Sequence, residues 1–260
     1  MTAVDQVISR ASESVDMLPS DAEADIIGSP TTENFVAIGH EFLRLLVEVG
    51  GLRTDARILD IGCGVGRIAI PLTRYLDRGR YDGIEPIKQL VDLCNTRISP
   101  RHPSFKFHHV DFFSKRYNPH GKVDSRKYRF PWPDGHFDFV VLTSVFTHVL
   151  KDAAENYLRE IARVLEPGGT MFATAFLLSK ESELRTKQNV AAPRFPFSVG
   201  GAKVGNKKDP EGSVAFDEKV FLQMVERCGL TIERFEPGYW SGPIPDTKGT
   251  YQDLLIARKK

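Results

Sequence analysis

From residue 57 to the end of the chain, strand-like and helix-like segments alternate, and this alternation limits the possible folds more than any other feature. Arg57-Ile58-Leu59-Asp60-Ile61 is a short apolar run that leads straight into Gly62-Cys63-Gly64-Val65-Gly66. Helical spacing follows at Ile68, Leu72 and Leu76, and Pro71 is tolerable there only if it falls near the first turn. Further strands are expected at 81–85, 105–110, 137–143, 170–176, 230–235 and 251–257. The intervening helices carry their apolar stripes at Ile87, Leu90, Val91, Cys94 and Ile98, then over 152–165 and 220–228. Asp152 and Glu155 have the spacing of a capping box at the start of the clearest of these helices. Strands separated by helices imply an α/β fold: a doubly wound, mostly parallel sheet with helices on both faces.

With 260 residues, the chain fits one large α/β domain, expected over 34–260 and preceded by an arm over 1–33. The arm is rich in Asp, Glu, Ser and Ala, and its pattern suits either a frayed segment or a short helix. Next, Phe35, Ile38, Phe42, Leu45, Leu46 and Val49 sit at helical spacing. Two stretches break the rhythm, 112–135 and 178–215, and are expected to be lid-like insertions that cover a substrate. A net charge of +1 gives no overall attraction to nucleic acid or an anionic membrane. The three cysteines form no C-x-x-C pair, which disfavours a zinc site or a disulfide framework. No segment reads as a signal peptide or a membrane span, so a cytoplasmic protein is expected.

The glycine loop lets backbone approach a ligand closely, but its spacing is not that of a dinucleotide fingerprint. Asp60, just before it, would repel a pyrophosphate and would pair with the ammonium of an amino-acid moiety. Glu85 ends the second strand, where its two oxygens can accept from both hydroxyls of a ribose. Asp111 follows the third strand and can accept from an adenine amino group. All three acids thus stand at the carboxyl ends of consecutive strands, where open α/β sheets bind ligands.

In these segments the chain resembles the class I S-adenosylmethionine (SAM) dependent methyltransferases. Residues 58–66 resemble the first motif of that family, Glu85 the ribose acid, Asp111 the adenine acid and Phe137-Asp138-Phe139-Val140-Val141 the fourth-strand motif. Arg163-Val164-Leu165-Glu166-Pro167-Gly168-Gly169 is similar to the helix-turn before their fifth strand. The resemblance implies a Rossmann-like seven-stranded sheet of order 3-2-1-4-5-7-6, with the last strand antiparallel. It also implies SAM as cofactor, held by Asp60, Gly62, Cys63, Gly64, Gly66, Glu85, Pro86, Asp111, Phe112 and Thr143.

Methyl transfer from a sulfonium gains mainly from alignment and exclusion of water, and a hydroxyl acceptor also needs a base. His148, just past the fourth strand, is the candidate, placed similarly to the base histidine of plant-type O-methyltransferases. His108 and His109 alternate on the third strand and are read as structural, and no histidine pair has metal-ligand spacing. The acidic pair of magnesium-dependent relatives is absent where Thr143 and Ser144 stand, so metal-independent chemistry is expected. The motifs that mark methylation of nucleic-acid bases are absent after the fourth strand. The expected acceptor is therefore a small molecule or glycan, most simply at oxygen, for a monomer or homodimer with no nucleic-acid partner and no membrane insertion. Its rivals are an enzyme acting on RNA or protein and a non-catalytic SAM-binding module. The aromatic residues of the insertions fit either an acceptor pocket or a satellite core.

Overall fold

The computed structural model describes residues 3–9, 15–190, 192–242 and 250–260. Positions 1–2 and 10–14 of the expected arm, and 191 of the second insertion, lie outside the described residues. The chain divides into two compact units, Met1–Asp111 and Phe112–Lys260.

In the first unit, α1 (Ala3–Ser9), α2 (Asp21–Asp25) and α3 (Thr32–Glu48) precede β1 (Arg57–Ile61). Helices thus occupy part of the segment expected to be an arm. The Ser20 hydroxyl accepts from the Glu23 N–H, and the Glu23 carboxylate accepts from the Ser20 N–H, so α2 begins with a capping box. Thr31 caps α3 by accepting from the Asn34 N–H. The buried face of α3 is Phe35, Gly39, Leu43 and Leu46, a stripe rotated from the expected one, in which Ile38, Phe42 and Leu45 are only half-buried. Gly39 explains the rotation: a Cβ there would lie 2.7 Å from the Arg67 carbonyl oxygen, so the helix packs through its one side-chain-free position.

After β1 come α4 (Ala69–Tyr75), β2 (Arg80–Glu85), α5 (Lys88–Arg97) and β3 (Phe105–His109). Pro71 falls in the first turn of α4, where its missing N–H leaves no helical bond unmade. β1 pairs parallel with β2, and β2 with β3, so Asp60 lies opposite Gly83 and Glu85 opposite His109.

In the second unit, β4 (Phe137–Leu142) is followed by α6 (Lys151–Val164) and β5 (Leu165–Ala175). The expected Asp152–Glu155 capping box does not form, because the cap residue is Leu150, which has no side-chain oxygen. Pro167-Gly168-Gly169 lies inside β5 as an irregularity, with Gly168 at φ 78° and the register against β4 shifting between Phe137 and Phe139. Then follow β6 (Leu177–Leu178), α7 (Lys180–Gln188), β7 (Phe197–Val199), β8 (Ala202–Val204), β9 (Val214–Asp217), α8 (Glu218–Arg227), β10 (Leu230–Glu236) and β11 (Asp253–Lys259). β11 runs antiparallel to both β5 and β10.

The sheet order is β3-β2-β1-β4-β5-β11-β10. Counting only these seven strands, it is the 3-2-1-4-5-7-6 order that the resemblance implied. A second sheet of short strands, β6-β9-β8-β7, is built from the 178–215 insertion and its flanks and was not foreseen. No helix of the described residues is long and apolar enough to cross a membrane.

The 112–135 insertion packs on α6. The Asn156 amide donates to the Ser125 and Tyr128 carbonyls, the Glu160 carboxylate accepts from the Phe130 N–H, and the Arg163 guanidinium donates to the Phe130 and Trp132 carbonyls. Phe112, Tyr128, Phe130 and Tyr157 pack ring against ring, in edge-to-face and tilted pairs with centroids 5.0–6.0 Å apart. Phe112, Tyr128 and Phe130 of the insertion thus join Tyr157 of α6 in a satellite cluster.

Candidate functional site

In the first unit the chain between β1 and α4 bends through left-handed glycines. Gly64 has φ 55° and Gly66 φ 85°. A Cβ on Gly66 would lie 2.7 Å from Ile98 Cδ1, and one on Gly64 would touch Ile27 Cγ2 at 3.0 Å, so both conformation and space require glycine. Cys63 is buried in the same loop, and burial pushes its thiol far above the ordinary range, which leaves an inert side chain.

Asp60 is 1% exposed. Its Oδ2 accepts from the Tyr81 hydroxyl at 2.5 Å, and its Oδ1 is buried with no hydrogen-bond partner. Burial raises its carboxyl to about 7, against the opposing pull of the Tyr81 hydrogen bond and the Arg67 charge. Arg67, itself depressed by burial, donates from Nη1 to the Ile27 carbonyl and the Ser29 hydroxyl, while its Nε has no partner. A buried carboxylate oxygen left bare is costly unless something fills the site.

Glu85 is also buried, and its two oxygens are positioned by backbone: Oε2 accepts from Gly64 N–H at 3.1 Å and Oε1 from Ile87 N–H at 3.0 Å. Burial raises this carboxyl too, to about 7, although both backbone bonds favour the charged form. Each oxygen keeps a lone pair for a further donor. Val110 N–H donates to the Glu85 carbonyl, which leaves Asp111, half-buried, one residue beyond that junction. Pro86 is half-buried, with its carbonyl oxygen 3.2 Å from His109 Nε2. His108 Nε2 lies 2.7 Å from Asp82 Oδ1.

The structure therefore brings Asp60, Gly64 and Glu85 together. Of the other expected cofactor residues, Phe112 and Thr143 belong to the second unit. Phe112 is packed in the satellite cluster, and Thr143 is buried at the end of β4.

His148, also in the second unit, has Nδ1 2.8 Å from the Glu211 carbonyl oxygen. A carbonyl only accepts, so Nδ1 carries the proton and Nε2 keeps the lone pair. Burial lowers the imidazole pKa below its ordinary value, so the ring is neutral at neutral pH. Tyr117 packs edge-on against it at 5.4 Å. The Glu211 carboxylate accepts from the Ser114 hydroxyl at 2.5 Å, and Arg116 pairs with Asp209. Both insertions thus meet at this histidine. Sequence reasoning missed Tyr81 and Glu211, whose bonding partners lie 21 and 63 residues away.

The donor set fits SAM: a bare buried carboxylate oxygen for the ammonium, a glycine cradle, and an acid with open lone pairs for a ribose diol. Comparison with known proteins agrees. Residues 59–173 match a family described as a methyltransferase domain. An uncharacterised methyltransferase of Schizosaccharomyces pombe is 32% identical over 51% of this chain and 41% of its own length. A ubiquinone/menaquinone biosynthesis C-methyltransferase of Azotobacter vinelandii is 26% identical over 64% of this chain and 60% of its own. The chain therefore spans less than two thirds of either relative. Among solved structures, a Pyrococcus horikoshii protein superposes with a TM-score of 0.59 at 17% identity, covering 88% of this chain and 92% of that one.

Proposed function

We propose that the protein transfers a methyl group from SAM to an oxygen of a small molecule or glycan, with His148 as the base, a reading that the match of residues 59–173 to a methyltransferase domain supports. The observation that carries this reading is the bare Oδ1 of buried Asp60 beside the glycine loop. That oxygen binds the ammonium of the cofactor, Gly62, Gly64 and Gly66 admit its amino-acid end, Glu85 holds the ribose and Asp111 the adenine. Bound there, SAM supplies an electrophilic methyl group on a sulfonium.

His148 supplies the other half of the chemistry. Its tautomer is held by the Glu211 carbonyl, so Nε2 accepts the acceptor's hydroxyl proton as the oxygen–methyl bond forms. Its lowered pKa keeps that lone pair available at neutral pH. The base assignment accounts for a half-buried histidine between two insertions whose Nε2 keeps its lone pair.

The test uses tritiated-methyl SAM, purified protein and a fractionated extract of the source cells. Label in the small-molecule or glycolipid fraction, lost with Asp60→Ala, is the expected result. Label in RNA or protein would transfer the assignment to a macromolecular acceptor. SAM binding with no transfer to any fraction would favour a binding module and contradict the enzyme reading.

A further inference from the structure

Ser144, immediately past β4, is the only non-glycine residue among the described residues with positive φ, at 62°. That conformation is strained for a residue with a Cβ and persists only where its surroundings enforce it. Three hydrogen bonds among Ser144, Thr174 and Gln252 enforce it here. The Ser144 N–H donates to Thr174 Oγ1 at 2.8 Å, and the Ser144 hydroxyl donates to Gln252 Oε1 at 3.2 Å. Thr174 Oγ1 in turn donates to the same Gln252 oxygen at 2.6 Å. The turn continues from Ser144, whose carbonyl accepts from the Thr147 hydroxyl, to His148, whose N–H donates to the Val145 carbonyl.

The consequence falls on Gln252. Two hydroxyls saturate its carbonyl oxygen, and no described residue bonds its amide nitrogen. Gln252 as a whole is half-buried. It stands at the carboxyl ends of β4 and β5, the edge of an open α/β sheet where ligands bind. Beside it in sequence, Tyr251 packs against Tyr239 at 5.4 Å, and each ring is 46% exposed. Backbone bonds from Tyr239 N–H to the Thr250 carbonyl and from Trp240 N–H to the Tyr251 carbonyl fix this pair.

We infer that Gln252 is an acceptor-recognition residue, whose fixed amide donates an N–H to a carbonyl or carboxylate oxygen on a planar ring acceptor that rests against the Tyr239–Tyr251 pair. The inference deepens the methyltransferase reading and rests on it. An aligned N–H donor selects for an sp2 oxygen beside the hydroxyl to be methylated. The strained Ser144 turn couples that selection to the position of His148.

Salicylate and phenol test this directly, since they share ring and hydroxyl and differ by one carboxylate. Calorimetric affinities are measured in the presence of saturating S-adenosylhomocysteine (SAH), for wild type, Gln252→Leu and Gln252→Glu. The wild type is expected to prefer salicylate by at least about tenfold, Gln252→Leu to lose that preference, and Gln252→Glu, an acceptor only, to favour phenol. A nitrogen-labelled Gln252 side-chain resonance should shift with salicylate and not with phenol. Salicylate preference that survives Gln252→Leu, or a wild type with no salicylate preference, overturns the inference. If the leucine variant shows no folding transition, the glutamate variant carries the test. SAH binding is read in the same titrations, so failure to bind it would refute the methyltransferase reading separately from the Gln252 assignment.

Discussion

The Tyr81 hydroxyl donates to Asp60 Oδ2 at 2.5 Å, and this one bond orients a wholly buried carboxylate so that its other oxygen is left bare. Tyr81 reaches Asp60 from the neighbouring strand and is itself buried and stacked on Phe105 at 5.1 Å, so the hydroxyl has little freedom to leave. Tyr81→Phe should destabilise the protein by about 1–3 kcal/mol, because Asp60 keeps its burial and loses its donor. It should also weaken binding of SAH while sparing methylthioadenosine, which lacks the amino-acid end. Equal losses for both ligands in calorimetry would mean that Tyr81 supports the fold alone.

Asp60 and Glu85, both raised to about 7 and proposed to hold the cofactor, should make its binding depend on pH. A carboxyl whose pKa is raised in the folded state contributes stability that is complete below its unfolded pKa and is lost as pH rises through about 7. The unliganded protein should therefore lose stability from these two groups between about pH 4 and pH 7, and lose no more from them above that. SAH, through its ammonium, favours ionised Asp60, so its stabilising effect should grow over the same interval and its binding should release protons. Thermal melts with and without SAH check the first point, and calorimetry in buffers of different ionisation enthalpy checks the second. A Tm increment from SAH that shrinks with rising pH would contradict the assignment.

His148→Ala should lower methyl transfer severalfold or more while leaving SAH affinity unchanged, as expected for removing a base that does not hold the cofactor. Since burial depresses the imidazole, the wild-type rate should rise with pH through a pKa below the ordinary histidine value and then level off. Wild-type turnover in the variant would remove the base role.

Arg163 fastens the 112–135 insertion by donating to the Phe130 and Trp132 carbonyls while pairing with Glu160 and Asp134. Arg163→Met should cost about 1–3 kcal/mol, a figure reduced because Asp134 is exposed and screened. Hydrogen exchange should rise across the insertion and stay unchanged in β1 and β2. Uniform loss of protection would show that the insertion is not separately anchored.

The order of β1 to β5 and the acids at their ends were legible because buried parallel strands are continuous apolar runs and the glycine loop interrupts the first of them sharply. The second sheet was not, because strands of two to four residues such as β6, β7 and β8 are too short to show a period. The face of α3 was misjudged because Gly39 carries no hydrophobic signal and yet makes the closest approach. At the site, Asp60 and Glu85 could be read from their positions at strand ends. Tyr81, Glu211 and Gln252 could not, since each acts through a hydrogen bond across a long stretch of chain that follows no periodicity.

Calorimetric titration of SAH into wild type, Asp60→Asn and Glu85→Ala tests the central claim most directly. The predicted result is one site per chain in the wild type, with affinity reduced by at least ~1–3 kcal/mol in each variant. Folded variants that bind SAH as tightly as wild type, or a wild type that does not bind it, would contradict the assignment of these two acids to a SAM site.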